Sequence, residues 1–88
     1  MPWSIDIRPS FERGFKHLSR EAQTRILDAI REISESVDPS EFGERLAGKW
    51  RGLIKLRVGD YRIIYKPSYE DRTIILLEVK HRSQVYQR

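Results

Sequence analysis

The chain has 88 residues, of which 34% are charged and 39% hydrophobic, with a formal net charge of +4 and no cysteine. This length suits one domain, residues 1–88, around a single modest core. The lack of cysteine excludes disulfides, thiol catalysis and cysteine-ligated zinc, and His17 and His81 show no metal-ligand spacing, so we expect no metal and no cofactor. There is no apolar run of about 18 residues and no export leader, which predicts a cytoplasmic protein without a membrane partner.

The first half of the chain reads as a strand followed by two helices. Alternation of Trp3, Ile5 and Ile7 with polar residues predicts a strand that ends at Pro9. Ser10 is the predicted cap of a short helix, and Ser19 is the predicted cap of a longer one. The longer helix has an apolar stripe that we expect to face the core: Ala22, Ile26, Ala29, Ile30, Ile33 and Val37.

The second half of the chain reads as a loop followed by three strands. Residues 38–51 have a loop-like composition, and the alternating runs 53–58 and 61–66 flank Gly59-Asp60, a hairpin turn of the glycine-first type. Residues 73–80 form a nearly continuous apolar run that predicts a central strand, and residues 83–88 predict about one helical turn. The predicted fold class is α+β. Two N-terminal helices cover one face of a small, mainly antiparallel sheet in the order β-α-α-β-β-β with a short C-terminal helix.

Positive charge is concentrated in the second half of the chain. Residues 1–44 hold six Lys/Arg and nine Asp/Glu, a balance of −3, whereas residues 45–88 hold eleven and four, a balance of +7. Like charges at this density repel one another, and a polyanionic partner removes that penalty. Nucleic acid and an acidic protein segment are both compatible with this pattern, as is a merely solvated basic surface.

Strand periodicity predicts which side chains share the open face of the sheet. With Ile54, Leu56 and Val58 inward on one hairpin strand and Tyr61, Ile63 and Tyr65 inward on the next, the alternate residues point away from the helices. The same rule places Ile75, Leu77 and Val79 inside on the last strand and Ile74 and Leu76 outside. The charged side chains predicted for the open face are Lys55, Arg57, Arg62, Lys66, Glu78 and Lys80.

Two segments resemble RelE-family toxins. The order of the predicted elements matches as well, so the resemblance covers essentially the whole chain. Leu46-x-Gly48, followed by the run 54–65, is similar to the centre of these toxins, and the gyrase-inhibiting ParE relatives share that centre. His81-Arg82-x-x-Val85-Tyr86 is similar to the C-terminal signature of the RelE branch. Where some members carry a second lysine this chain has Leu53, and Lys80 stands where some have an arginine.

The resemblance implies the RelE-like microbial RNase fold and the toxin component of a type II toxin–antitoxin system. Such a toxin cuts messenger RNA at the ribosome without a metal and so inhibits translation. Its partners would be the ribosome, mRNA and an acidic RelB-like antitoxin, with operator DNA bound only through the antitoxin complex. By the same resemblance, the catalytic candidates are Lys55, Arg62, Arg82 and Tyr86, and His81 is a further candidate because an imidazole can accept a proton.

The chemistry of metal-free RNA cleavage suggests a role for each candidate. The ribose 2′-hydroxyl attacks the adjacent phosphate, which leaves a 2′,3′-cyclic phosphate and a 5′-hydroxyl. Arg62 and Arg82 suit the phosphate, because a guanidinium offers a fixed fork of donors. Lys55 or His81 would accept the proton, and Tyr86 would orient the hydroxyl or stack on a base. The residues predicted to bind RNA without taking part in the chemistry are Lys49, Arg51, Arg57, Lys66 and Lys80.

Two other readings fit parts of the pattern. A ParE-like inhibitor of DNA gyrase would share the central run but act without catalysis, and the C-terminal signature distinguishes it from the RelE branch. A non-catalytic RNA-binding domain would use the open sheet face, but that class generally presents aromatic side chains there. Periodicity places Tyr61 and Tyr65 inside instead. Trp50 could stack on RNA, although a tryptophan beside the start of a strand more often packs against the fold.

Overall fold

The computed structural model describes residues 2–85, and side chains up to residue 83. Within this range the chain forms an α+β domain in which two helices pack on one face of a sheet, as predicted. The sheet has five strands where four were predicted, because Glu44–Arg45, within the expected loop, pairs with residues 54–55 as a short additional strand. The elements in chain order are β1 (Ser4–Ile7), α1 (Pro9–Phe15), α2 (Arg20–Ser34), β2 (Glu44–Arg45), β3 (Ile54–Val58), β4 (Tyr61–Ser68), β5 (Thr73–His81) and α3 (Arg82–Val85). None of the described helices has the length and apolar character needed to cross a membrane.

The sheet has the strand order β1-β5-β4-β3-β2. Strand β1 runs parallel to β5, and the other neighbours are antiparallel. The β3–β4 hairpin turns at Gly59-Asp60 as predicted, with Gly59 at φ 61°, a conformation that glycine adopts without steric cost. Strand β5 therefore lies between β1 and β4, which explains its long apolar run.

The helix caps match the prediction in α2 and depart from it in α1. Ser19 Oγ accepts a hydrogen bond from the Ala22 amide at 3.1 Å, as expected for an N-cap. Ser10 is not a cap, because α1 begins at Pro9 and the Ser10 hydroxyl donates to the Leu77 carbonyl of β5. The prediction that Val37 belongs to the apolar stripe of α2 is wrong, because α2 ends at Ser34 and Val37 is 94% exposed.

The core lies between the helices and the inner face of the sheet. Side chains of α1 and α2 contact those of β3, β4 and β5 in one cluster: Phe11, Ile26, Ile30, Ile33, Ile54, Ile63, Tyr65, Ile74, Leu76 and Val79, with Trp3 at its margin. Tyr65 is fully buried, and its hydroxyl donates to the Pro39 carbonyl at 2.6 Å. Burial raises its pKa. The inward residues predicted for β3 and β4 are confirmed.

A β-bulge in β5 overturns part of the predicted face assignment. Ile64 pairs with Glu78 and Tyr65 with Leu76, so Leu77 is an extra residue on β5. Beyond the bulge Val79 points inward as predicted. Before it the alternation is reversed: Ile74 and Leu76 are buried, whereas Ile75 and Leu77 lie on the open face. The bulge occurs where β1 ends and α1 takes its place beside β5, with Arg8 N–H donating to the Leu76 carbonyl at 3.0 Å.

Candidate nucleic-acid interface

Three cations lie in a line across the open face of the sheet. Arg57 on β3 stands opposite Arg62 on β4, and Arg62 stands opposite Lys80 on β5. Directly opposed residues share a face, and Ile63 is fully buried, so these side chains point away from the helices. Arg57 and Lys80 are exposed and Arg62 is half-buried. We call Arg57, Arg62 and Lys80 the cationic row. The strand pairing confirms the prediction that these three side chains share the open face.

Lys55 lies in the next row of the same face. It pairs with Ile64 on β4 and with Glu44 on β2, and its Nζ is 3.5 Å from a Glu44 carboxylate oxygen. Only 32% of the Lys55 side chain is exposed. On the other side of Ile64, Glu78 lies 3.9 Å from the Lys80 ammonium. Each outer lysine thus has a carboxylate neighbour, which reduces the local repulsion among the cations.

A shallow groove runs between Lys55 and the cationic row. Its volume is about 390 Å³, and its walls include Gly43, Glu44, Lys55, Arg57 and Arg62. A side chain at Gly43 would collide with the Lys55 carbonyl, so glycine lets the chain pass close to β3. Two of the predicted catalytic residues, Lys55 and Arg62, therefore line the same groove.

His81 lies at the far end of β5 and faces the helices. It pairs with Tyr61, an inward residue, and the two rings meet edge to face with centroids 5.2 Å apart. The Ser83 amide donates to His81 Nδ1 at 3.2 Å, so this nitrogen is an acceptor and the neutral ring carries its proton on Nε2. His81 lines a larger cavity of about 700 Å³ with Arg13, His17 and Ser83. It is therefore on the opposite side of the sheet from Arg62.

Arg82 and Tyr86 belong to the terminal segment. The Arg82 amide donates to the Asp60 carbonyl at 2.8 Å, which attaches the start of α3 to the β3–β4 turn, and the Arg82 side chain is exposed. Arg82 therefore stands at the same end of β5 as the cationic row. Tyr86 lies outside the described residues.

The remaining predicted RNA-binding residues flank the β2–β3 loop. Lys49 Nζ is 5.2 Å from the centre of the Trp50 ring. Arg51 and Lys66 line a cavity of about 480 Å³ together with Arg45, and we call this cavity the basic pocket. Arg45 is a cation that sequence reasoning missed. It belongs to a two-residue strand, which is too short to show any periodicity.

A polar cluster fixes the wall of the basic pocket. Asp38 Oδ1 accepts hydrogen bonds from the Tyr69 hydroxyl at 2.7 Å and from the Ser40 amide at 3.1 Å and hydroxyl at 2.9 Å. These bonds, led by that from Tyr69, lower the pKa of Asp38. Arg45 donates to the Ser40 hydroxyl at 2.9 Å, so its guanidinium is held at the mouth of the pocket. Among the described side chains, no three histidine or acidic groups are grouped so that they could hold a metal ion.

The fold and this surface correspond to a known class of small toxins. Residues 5–86 match the family model described as the ParE toxin of type II toxin–antitoxin system, parDE. The chain is 30% identical to Toxin RelG of Mycobacterium tuberculosis, with all of both chains covered. The chain therefore belongs to the RelE/ParE superfamily of toxins and is the toxin of a type II toxin–antitoxin system.

Solved structures of this class share the fold. The toxin–antitoxin complex RelBE2 from Mycobacterium tuberculosis matches with a TM-score of 0.83 at 23% identity, covering 94% of each chain. The archaeal RelE–RelB complex from Pyrococcus horikoshii matches with a TM-score of 0.77 at 26% identity, covering 96% of this chain and 99% of the other. The isolated RelE toxin of E. coli matches with a TM-score of 0.75 at 18% identity, covering 96% and 90%. The expected RelE-like architecture is confirmed.

Proposed function

We propose that this toxin is a metal-independent endoribonuclease that cuts messenger RNA at the ribosome and thereby stops translation. The observation that carries the proposal is the cationic row of Arg57, Arg62 and Lys80 on an open sheet face. Pre-placed guanidinium groups stabilise the extra charge that develops on a phosphate during cleavage, and such fixed charge is usually the largest catalytic contribution. The similarity to RelG and to RelE structures supports the same activity.

In the proposed reaction, the 2′-hydroxyl oxygen forms a bond to phosphorus and the bond from phosphorus to the 5′-oxygen breaks. Arg62 and Arg82 would donate to the phosphate oxygens. The 2′-hydroxyl proton goes to a basic group, and the leaving 5′-oxygen takes up a proton from an acidic group. Lys55 lines the groove with Arg62, which favours it over His81 as the group nearest the phosphate. His81 lies on the other face of the sheet, and its Nδ1 already accepts a hydrogen bond from the Ser83 amide.

The antitoxin partner is proposed to be an acidic RelB-like segment across Lys55, Arg57 and Arg62. The structures from M. tuberculosis and P. horikoshii are toxin–antitoxin complexes. Exposed cations steer an acidic partner, while apolar side chains nearby hold it with little dependence on salt. The toxin would then work in the cytoplasm, with the ribosome and mRNA as targets, and reach operator DNA only within the antitoxin complex.

A second candidate function is inhibition of DNA gyrase by protein binding. The observation in its favour is the family model itself, which is described for the ParE toxin and spans residues 5–86. This activity would need neither a general base nor a group that protonates a leaving oxygen.

A pair of assays separates these two functions. The purified toxin is added to a cell-free translation system, and the mRNA is mapped for new 5′-hydroxyl ends with intact ribosomes and with ribosomes omitted. The same toxin is added to gyrase and relaxed plasmid DNA. We expect ribosome-dependent cuts and normal supercoiling. Normal translation together with inhibited supercoiling would refute the nuclease function and support inhibition of gyrase.

A further inference from the structure

An apolar groove adjoins the cationic row on the open face. Its volume is about 410 Å³, and its walls are Leu46, Trp50, Leu53, Ile64 and Leu77 together with Ser10 and Glu78. The Glu78 carboxylate lies 3.9 Å from the Lys80 ammonium, which offsets its charge toward a phosphate. Trp50 is 54% exposed, whereas the other tryptophan, Trp3, is 5% exposed. The sequence favoured packing over RNA stacking for Trp50, but about half of this residue is left in solvent. We call this cavity the Trp50 groove.

Backbone hydrogen bonds brace the loop that carries Trp50. The Leu46 amide donates to the Leu53 carbonyl at 3.0 Å and closes the loop at its base, and the Leu53 amide donates to the Trp50 carbonyl at 3.1 Å. Gly48 at φ 66° and Gly52 at φ 95° supply the left-handed turns that this path requires. The backbone that carries the ring is thus restrained, which lowers the ordering cost of binding a flat ligand there.

Cations stand on both sides of this groove along β4. Arg62, Ile64 and Lys66 are successive outward residues, so a cation, an apolar wall and a second cation follow at intervals of about 7 Å. Lys66 lines the basic pocket, and Leu46 and Leu53 form a wall shared by that pocket and the Trp50 groove. Charge, apolar surface and charge therefore alternate across one face.

We infer that the Trp50 groove binds an unpaired nucleobase of RNA next to the phosphate held by the cationic row. Lys66 and Arg51 then hold a neighbouring phosphate at the mouth of the basic pocket. Sites for single-stranded nucleic acid combine an aromatic ring that stacks on a base with cations that follow the backbone. Trp50, with the Lys49 ammonium 5.2 Å from its ring centre, provides both features in adjacent residues. The inference rests on the proposed function and makes Trp50 a determinant of its substrate binding.

An apolar anchor of an antitoxin is the alternative occupant. A nucleic acid is favoured because cations border the groove at both ends, which matches a backbone that carries a charge at every residue.

The test uses the intrinsic fluorescence of the two tryptophans. A short single-stranded RNA with 2′-O-methyl sugars, which cannot be cut, is titrated into the full-length toxin. Stacking on the exposed Trp50 should quench its emission, and Trp50→Phe should remove the quenching, because Trp3 is buried. Anisotropy of a labelled RNA then gives affinities. Trp50→Phe should bind nearly as well as wild type, and Trp50→Leu should bind on the order of tenfold more weakly.

Two controls show whether a base is recognised. The same RNA with abasic sugars should bind wild type and Trp50→Leu equally, since only the base reaches the ring. Leu27→Ala, at another exposed apolar side chain (49% exposed, on α2), should leave RNA affinity unchanged.

The outcomes separate this inference from the proposed nuclease. Quenching with a tenfold loss in Trp50→Leu supports the groove even if wild type cuts no mRNA on ribosomes, in which case only the nuclease fails. Equal RNA affinities for wild type and Trp50→Leu overturn the groove, whether or not wild type cuts mRNA. Equal RNA affinities with weakened binding of an acidic antitoxin likewise overturn it and assign the groove to that partner.

Discussion

Replacing Arg62 by alanine should lower cleavage strongly while leaving the stability of the fold almost unchanged. Arg62 lies between Arg57 and Lys80 in the cationic row, so its removal relieves two like-charge contacts across the sheet. Opposed like charges cost up to a few tenths of a kcal/mol each, which offsets the loss of contacts made by the half-buried arginine stem. The free energy of unfolding should therefore change by less than about 1 kcal/mol.

The effect on cleavage should be much larger. Removal of one donor to charge that develops in a transition state costs about 3 kcal/mol, which is roughly a hundredfold in rate. Arg62→Ala with Arg82→Ala should abolish measurable cleavage, and Lys55→Ala made alone should also lower the rate. Arg62→Lys should recover only part of the activity, because an ammonium lacks the planar fork of a guanidinium.

The assay measures single-turnover cleavage of mRNA on ribosomes saturated with toxin, together with ribosome binding and urea unfolding of each variant. Arg20→Ala is the matched control, an exposed arginine on α2 at the helix face of the sheet, and should behave as wild type in all three measurements. A double variant that binds ribosomes and cuts at the wild-type rate would show that Arg62 and Arg82 only position the toxin.

Three further predictions concern the framework around the site. Gly14→Ala should lower the unfolding free energy by about 1–3 kcal/mol in urea titrations, because the added Cβ would lie 2.6 Å from the Val79 carbonyl oxygen. This clash should outweigh the higher helix propensity of alanine. A stabilised variant would show that α1 can move away from β5. Tyr65→Phe should cost about 1–3 kcal/mol by the same measurement, since it leaves the buried Pro39 carbonyl without its donor, and an unchanged midpoint would mean that water replaces the hydroxyl. The pKa of Asp38 is lowered in the fold, so the ionised carboxylate stabilises the fold above its ordinary pKa of 3.8, and this stabilisation is lost as the pH falls below that value. Asp38→Asn should therefore make the urea midpoint less sensitive to acid, and an equal sensitivity would refute the assignment.

The sequence alone was enough to predict the elements whose patterns are local. Alternation around Gly59-Asp60 predicted the β3–β4 hairpin and its inward residues, because a two-residue turn fixes the register and burial on one face fixes the side-chain order. The pairing of Arg57 with Arg62 follows from the same register. The Ser19 cap was predictable for a similar reason, since it depends on residues three positions apart. The sequence predicted that Arg57, Arg62 and Lys80 share the open face, whereas the pairing of Arg62 with Lys80 follows only from the β4–β5 register in the structure.

Only the tertiary structure decided what depends on contacts between distant segments. The continuous apolar run of β5 has no alternation to read, and the bulge at Leu77 arises where β1 gives way to α1 beside this strand. That bulge places Leu77 on the open face and makes it a wall of the Trp50 groove. Strand β2 has two residues and no pattern, yet it brings Glu44 to Lys55. Which cations meet a carboxylate, and which face His81 occupies, are settled by strand pairing, because spacing along the chain does not specify which segment lies opposite.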